Sequence, residues 1–126
     1  MIDFSKNSVF NLKKIPIEQM NNNIPALLLE GERIIGVYKT IRDQVVFTDK
    51  RIITIDVQGI TGKRQELFTL PYSKIQYFGV QTVGFAEIIP DAELTLFFAN
   101  NMKASFEFVG KCDILEIGKI ISKYVL

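Results

Sequence analysis

The chain has 126 residues, with 15 basic and 14 acidic side chains and a formal net charge of +1. This length fits one domain that can bury a core without disulfides, and the balanced charge gives no long-range field that would gather nucleic acid or an anionic membrane. Cys112 is the only cysteine, and no apolar run is long enough to cross a membrane. We therefore expect a cytoplasmic protein that is not transmembrane and is at most peripheral to a membrane.

The first 29 residues predict little regular structure apart from a helical segment. Residues 1–16 are polar with scattered apolar positions, so we expect an N-terminal lead-in and a folded domain over residues 17–126. Across residues 17–29, apolar side chains recur mostly three or four positions apart, which favours a helix. Pro25 and the asparagine run at 21–23 interrupt that pattern, so the helix is expected to be short or broken.

Seven short segments rich in β-branched and aromatic residues follow, and each predicts a strand. They are residues 32–39, 43–48, 51–57, 65–70, 74–83, 93–98 and 104–108. Gly59 and Gly62 mark a loop before the fourth strand, and Asn100 and Asn101 supply the turn before the last. Short connections between consecutive strands favour an antiparallel meander.

After Gly110 the hydrophobic period becomes helical. Asp113 is a candidate N-cap, and Glu116 lies three residues later, as in a capping box. One apolar stripe is formed by Ile114, Ile117, Ile121 and Tyr124. We therefore expect a mainly β fold, either a small barrel or two packed sheets, closed by an amphipathic C-terminal helix.

From about residue 17 to the C-terminus, the chain resembles the bacterial pleckstrin-homology (PH) family, formerly a family of unknown function. The likeness is carried by residues 27–32, 41–53, 56–64, 70–72 and 91–94. The hairpin Phe47-Thr48-Asp49-Lys50-Arg51-Ile52 is shared with related membrane-associated modules. Its combination with the loop Gln58-Gly59-Ile60-Thr61-Gly62-Lys63 and the strand start Asp91-Ala92-Glu93-Leu94 is specific to the family.

The resemblance implies a PH-like barrel of two near-orthogonal antiparallel sheets, with four and three strands, capped by the C-terminal helix. To this the sequence adds the N-terminal helical segment. Members of the family are also known to assemble as ring-shaped homo-oligomers. Eukaryotic namesakes bind phosphoinositides or peptides, but a shared fold does not carry a function with it.

The residue types argue against most catalytic chemistry. The chain has no histidine, which removes the commonest general base and histidine-based metal sites. Cys112 lies where a helix N-terminus favours a thiolate, but without a histidine base a packed residue is the better interpretation. The segment 59–63 lacks the glycine spacing of a phosphate loop and is better explained as a β-turn. We therefore predict no enzyme, catalytic residue, metal site or cofactor.

Basic residues near three predicted turns form a candidate surface for an anionic ligand. They are Lys39, Arg42, Lys50, Arg51, Lys63 and Arg64. In lipid-binding members of the wider superfamily, cations on the first strand pair hold the head group, and Lys39 and Arg42 occupy that place here. Cations at hairpin turns more often serve solvation and edge protection, so we weigh that simpler role ahead of a lipid site.

The segment 84–90 has loop-like Gly and Pro boundaries but carries Phe85, Ile88 and Ile89. Either these residues fold back over the barrel, or they form an oligomer interface. The family's ring assemblies favour the interface.

Two functions follow. The first is a non-enzymatic, homo-oligomeric binding or scaffold module. The alternative is a peripheral module that binds a phospholipid head group or a peptide. Nucleic acid is not an expected partner, because the charge is balanced and the aromatic residues alternate as core residues.

Overall fold

A computed structural model describes residues 8–82, 91–110 and 113–126, except for the side chains of Ser8, Phe10 and Asp91. The strands are β1 (Ser8–Ile15), β2 (Ile34–Lys39), β3 (Gln44–Thr48), β4 (Arg51–Gln58), β5 (Arg64–Pro71), β6 (Tyr77–Gln81), β7 (Asp91–Phe97) and β8 (Lys103–Val109). The α-helices are α1 (Ile24–Leu27) and α2 (Ile114–Val125), and 3-10 turns occupy Ile17–Gln19, Tyr72–Lys74 and Ala99–Asn101. Within the described residues, the eight strands form one sheet in the order β5-β4-β3-β2-β1-β8-β7-β6.

Strand β1 joins two groups of strands into one open sheet. It pairs antiparallel with β2 and parallel with β8. The groups β2–β5 and β6–β8 match the four- and three-stranded sheets that the resemblance implies. The expectation of two separate sheets with seven strands in all is nevertheless wrong, because residues 8–15 form an eighth strand between them. The purely antiparallel meander is wrong at the β1–β8 pair.

A β-bulge explains why β1 was not predicted. The register of β1 on β8 shifts between Val9 and Leu12, where Asn11 has a φ of 61°. Val9 and Leu12 therefore contribute to one core although they are three residues apart, whereas Ile15 contributes to the other. This spacing hides the two-residue period of a strand. The domain boundary at residue 16 stays a prediction.

The expectation of an N-terminal helical segment across residues 17–29 is wrong, because the structure has only two short pieces there. Residues Ile17–Gln19 form a 3-10 turn, and α1 has only four residues. Pro25 lies in the first turn of α1, and the Asn21 side chain accepts a hydrogen bond from the Asn23 backbone N–H, which favours a turn over a continuous helix.

Two hydrophobic clusters pack on the sheet. The larger contains Leu12, Phe106 and Ile121 and brings together strands of both groups and α2. The smaller cluster consists of Ile15, Ile24, Val37, Val46, Ile53 and Ile55. Ile24 reaches it from the connection between β1 and β2, and its side chain is fully buried. This connection is therefore held against the sheet by apolar contact.

The C-terminal helix is confirmed. The Asp113 side chain accepts a hydrogen bond from the Glu116 backbone N–H at 3.1 Å, and Ile114, Ile117 and Ile121 are buried. Gly118 lies so close to β6 that an added Cβ would stand 3.2 Å from Val80. Among the described residues, no helix is long and apolar enough to cross a membrane.

Candidate functional site

The six predicted cations lie at two opposite ends of the β3–β4 hairpin. The antiparallel register pairs Gln44 with Ile55 at one end and Phe47 with Ile52 at the other. Near the Gln44 end, Lys39 precedes the turn 40–43 and Arg42 lies in it, while Lys63 is the last residue of the turn 59–63 and Arg64 follows it. Lys50 and Arg51 lie at the opposite end, in the β3–β4 turn and at the start of β4. The fold therefore brings four of the six together.

The turns 40–43 and 59–63 are hydrogen-bonded to each other and to the strands beneath them. Arg42 donates from Nη2 to the carbonyl oxygen of Gly59. Asp43 accepts, through Oδ1, a 2.9 Å hydrogen bond from the backbone N–H of Val57. Gly59 and Gly62 have φ values of 77° and 68°, which supports the β-turn interpretation of this loop. The two turns are therefore fixed relative to each other.

A fifth cation joins this group from β1. Lys13 is directly opposite Lys39 in the β1–β2 register, and both are exposed. Sequence reasoning missed Lys13 because β1 was not predicted as a strand. We call the surface formed by the two turns and these five cations the cationic end; the cations are Lys13, Lys39, Arg42, Lys63 and Arg64.

The two nearby aspartates, Asp43 and Asp56, add almost no negative charge to the exposed surface. Asp43 and Asp56 are 1% and 3% exposed. Asp43 is bonded to the Val57 backbone, and Asp56 accepts a 3.2 Å hydrogen bond from Gln58 Nε2. Glu66, opposite Asp56 on β5, is exposed. The exposed charge at the cationic end is therefore predominantly positive.

Each turn also carries an isoleucine. Ile41 and Ile60 have relative exposures of 101% and 104%, so neither side chain contributes to the core. Sequence reasoning did not select them, although an apolar residue between polar turn residues is a visible signal. They lie within the same linked surface as the cations.

Arg51 has protein partners at every guanidinium nitrogen. Its Nε and Nη2 donate 3.0 Å hydrogen bonds to the two carboxylate oxygens of Glu32, and Nη2 also donates to the Leu27 carbonyl at 2.6 Å. Nη1 donates to Thr69 Oγ1 at 3.2 Å. Arg51 therefore ties the β1–β2 connection to β4 and β5, which leaves it poorly placed for an external anion.

The Glu32 carboxylate is unusual because it is buried and charged. Burial raises the pKa of Glu32, but hydrogen bonds from Arg51, Thr48 and the Leu29 backbone, with the positive charge of Arg51, outweigh burial and hold this pKa below its ordinary value. The Thr48 hydroxyl donates to it at 2.6 Å. The group is thus a structural ion pair inside the fold.

A cavity of about 730 Å³ opens between the strands β1–β3 and the start of α2. Its lining is mostly apolar, with Lys14, Asp113 and Glu116 as the charged members; the apolar side chains are Ile35, Tyr38, Phe47, Ile117 and Ile120. Such a lining suits an apolar group with a polar end. Among its described residues, none is a nucleophile paired with a base. In the part of the chain that the structure describes, no three metal-ligating side chains cluster.

The predicted interface residues Phe85, Ile88 and Ile89, like Cys112, lie outside the described residues. Two other surfaces bear on self-association. Strands β5 and β6 form the two edges of the described sheet. Phe68 on β5 is 41% exposed, and Tyr77 on β6 is 60% exposed and stacked on Phe97 at 4.3 Å between ring centroids.

Comparison with known proteins identifies the family. The model of the bacterial PH domain matches residues 3–125. The chain is 33% identical to the uncharacterized protein YjqA of Bacillus subtilis (strain 168) over 112 residues, which cover 89% of this chain and 90% of YjqA.

Two crystal structures agree with this match. A DUF1696 family protein with a pleckstrin-homology domain from Shewanella loihica is 31% identical, with a TM-score of 0.77 over 94% of this chain and 100% of that one. A pleckstrin-homology domain from Shewanella amazonensis is 36% identical, with a TM-score of 0.61 over 82% and 83% of the two chains. The resemblance seen in the sequence is confirmed: this chain belongs to the bacterial PH domain family.

Proposed function

We propose that this protein is a non-enzymatic binding module that takes the phosphate groups of anionic phospholipids at its cationic end. The observation that supports the proposal is the convergence of five cations around two turns that are hydrogen-bonded to each other. PH domains generally act as binding modules. A fixed arrangement of cations loses little entropy when it meets a phosphate-rich surface.

The binding would be local and sensitive to salt. With a net charge of +1, the whole molecule has almost no attraction for an anionic surface at long range. Attraction arises only when the cationic end is within about 8–10 Å of the lipid phosphates, the screening length at physiological salt. Each cation near such a surface contributes about 1 kcal/mol.

Vesicle sedimentation tests this proposal. At low salt, the wild-type protein should sediment with vesicles of equal parts phosphatidylcholine and phosphatidylserine, and high salt should release it. The variant K39Q/K63Q/R64Q removes three of the five cations but keeps the Arg42 bond to Gly59. Its partitioning should fall roughly a hundredfold, because three contributions of about 1 kcal/mol are lost.

The matched control removes the same charge elsewhere. Lys50, Lys74 and Lys119 are exposed and lie outside the cationic end. The variant K50Q/K74Q/K119Q should bind vesicles almost as the wild type does. Equal losses of vesicle binding in both triple variants would contradict the assigned site. If inorganic phosphate released the protein from the vesicles, the ligand would be a soluble phosphate and not a lipid.

A second proposal is self-association into a homo-oligomer, with a ring as the form that the family resemblance implies. From the sequence alone this function ranks first. Its support is the pair of open edges, because unpaired strand edges readily accept another strand. Contact between β5 of one copy and β6 of the next would join two different surfaces, and head-to-tail contacts of this kind form rings when the rotation closes.

Light scattering at micromolar concentration tests the assembly. The wild type should exceed the mass of one chain, and the edge variants F68K and Y77K should lower that mass by placing a charge at the contact. Leu115 is 61% exposed on α2 and belongs to neither edge strand, so L115K is the control and should keep the wild-type mass. A wild-type mass of one chain would contradict the proposal.

A further inference from the structure

Ile41 and Ile60 occupy positions where polar residues or glycine are usual. Both lie in tight connections between strands, and the structure leaves their side chains entirely in solvent. Full exposure of an aliphatic side chain is unfavourable in water, and these residues gain no compensating contact within the described fold.

Exposed apolar residues are ordinary when they are scattered. Leu29 and Leu115 are each 61% exposed, but the first lies in the β1–β2 connection and the second on α2. Ile41 and Ile60 differ because the bond from Arg42 to Gly59 joins their turns, and the bond from the Val57 backbone to Asp43 holds the turn 40–43 to β4, the strand that leads into the turn 59–63. They therefore form a pair on one fixed surface.

The composition of that surface favours a bilayer over a protein partner. The centre of a protein interface is depleted in charge, because buried charges need specific partners. At the cationic end, a cation follows each isoleucine along the chain, with Arg42 immediately after Ile41 and Lys63 three residues after Ile60. An anionic bilayer accepts this arrangement, since cations pair with lipid phosphates while apolar side chains enter the acyl boundary a few ångströms deeper.

We propose that Ile41 and Ile60 insert into the acyl boundary of an anionic membrane while the surrounding cations stay at the level of the phosphates. This inference rests on the proposed lipid binding and adds a depth and an orientation to it. The β3–β4 hairpin would stand with the turns 40–43 and 59–63 toward the membrane and with Lys50 away from it.

Tryptophan reporters test the insertion directly. The chain has no tryptophan, so I41W and I60W each carry a single tryptophan, whose emission can be excited selectively. With vesicles of equal parts phosphatidylcholine and phosphatidylserine, both should shift to shorter emission wavelengths, and lipids with brominated acyl chains should quench them. Leu29 is exposed near the opposite end of the hairpin, so L29W is the control and should show neither effect.

Sedimentation gives an independent readout. The variant I41S/I60S changes no charge and removes two side chains that touch nothing in the core, so it should melt like the wild type and bind vesicles roughly tenfold more weakly. The control L29S/L115S removes two exposed leucines and should bind as the wild type does.

The outcomes separate this inference from the proposal beneath it. Salt-sensitive vesicle binding with unchanged emission of I41W and I60W would overturn insertion and leave phosphate binding standing. If the turns inserted into vesicles of phosphatidylcholine alone, and the K39Q/K63Q/R64Q substitutions left that insertion unchanged, insertion would be supported and the role of the cations overturned. No binding to anionic vesicles at low salt would overturn both.

Discussion

Glu32 and Arg51 show how one residue pair can organise a small domain. The Glu32 side chain is fully buried, and that of Arg51 is 15% exposed. Removing one partner from such a pair leaves a charge without compensation in the interior, which costs far more than the intact pair contributes. The residues that bond to Glu32 come from the β1–β2 connection, β3 and β4. Loss of one partner should therefore destabilise all three segments.

We expect R51M to lower the free energy of unfolding by about 3 kcal/mol, because the buried Glu32 carboxylate loses its charge partner. The control is R33M. Arg33 lies 3.5 Å from Asp49 with its side chain 73% exposed, so its loss should change stability by less than about 1 kcal/mol. Urea unfolding measures both, and equal effects would show that the buried pair has no special role.

The same pair should make stability depend on pH. Since the pKa of Glu32 is lowered in the fold, its ionised form stabilises the protein above the unfolded glutamate value of about 4.3, and this contribution is lost as pH falls through the lowered folded pKa. The difference in unfolding free energy between wild type and E32Q should therefore shrink below about pH 4. Parallel pH profiles of the two proteins would rule out this linkage.

Among the secondary-structure elements, most strands and the C-terminal helix can be predicted from local sequence patterns. The alternation of Leu94, Leu96 and Phe98 predicts a strand, which the structure has over Asp91–Phe97. Asp113, three residues before Glu116, predicts the helix start that the structure confirms. β1 escaped prediction because the bulge at Asn11 shifts the register that a periodic search relies on.

The α2 cap gives a test at this scale. D113A should lower the free energy of unfolding by about 1 kcal/mol, because the Glu116 N–H loses its acceptor. D113N retains a side-chain oxygen and should keep most of the wild-type stability. Urea unfolding monitored by far-UV circular dichroism compares the two, and a D113N that behaved as D113A would assign the effect to charge alone.

The sequence predicts only part of the candidate site. The sequence favours Lys39 and Arg42 because lipid-binding members of the wider superfamily hold the head group with cations on the first strand pair. The predicted cationic surface also includes Lys50 and Arg51. The strand register, which the sequence does not reveal, places these two residues at the opposite end of the hairpin. No local pattern reveals that Arg51 meets Glu32, because nineteen residues separate the two in the chain.

For the whole molecule, the position of β1 decides whether the sheet holds together. Its pairs with β2 and β8 join β2–β5 to β6–β8, and Leu12, on β1, is fully buried in the larger core. Contacts across this strand therefore couple the two groups of strands.

A variant lacking residues 1–16 tests this coupling and the predicted domain boundary together. We expect it to lose cooperative unfolding, since β2 and β8 would each become an uncovered edge and the cores would lose Val9, Leu12 and Ile15. Calorimetry and near-UV circular dichroism measure the transition. A sharp transition like that of the full chain would instead confirm that residues 17–126 fold independently.

The parallel pair of β1 with β8 also bears on how the protein is made. β1 leaves the ribosome before every other described strand, whereas β8 leaves after all of them. The central pairing must therefore wait until every other described strand has been synthesised, and its long sequence separation makes the closing step slow. During that wait β1 presents an open edge to neighbouring nascent chains, so the step that completes the sheet is also the step at which misassembly competes with folding.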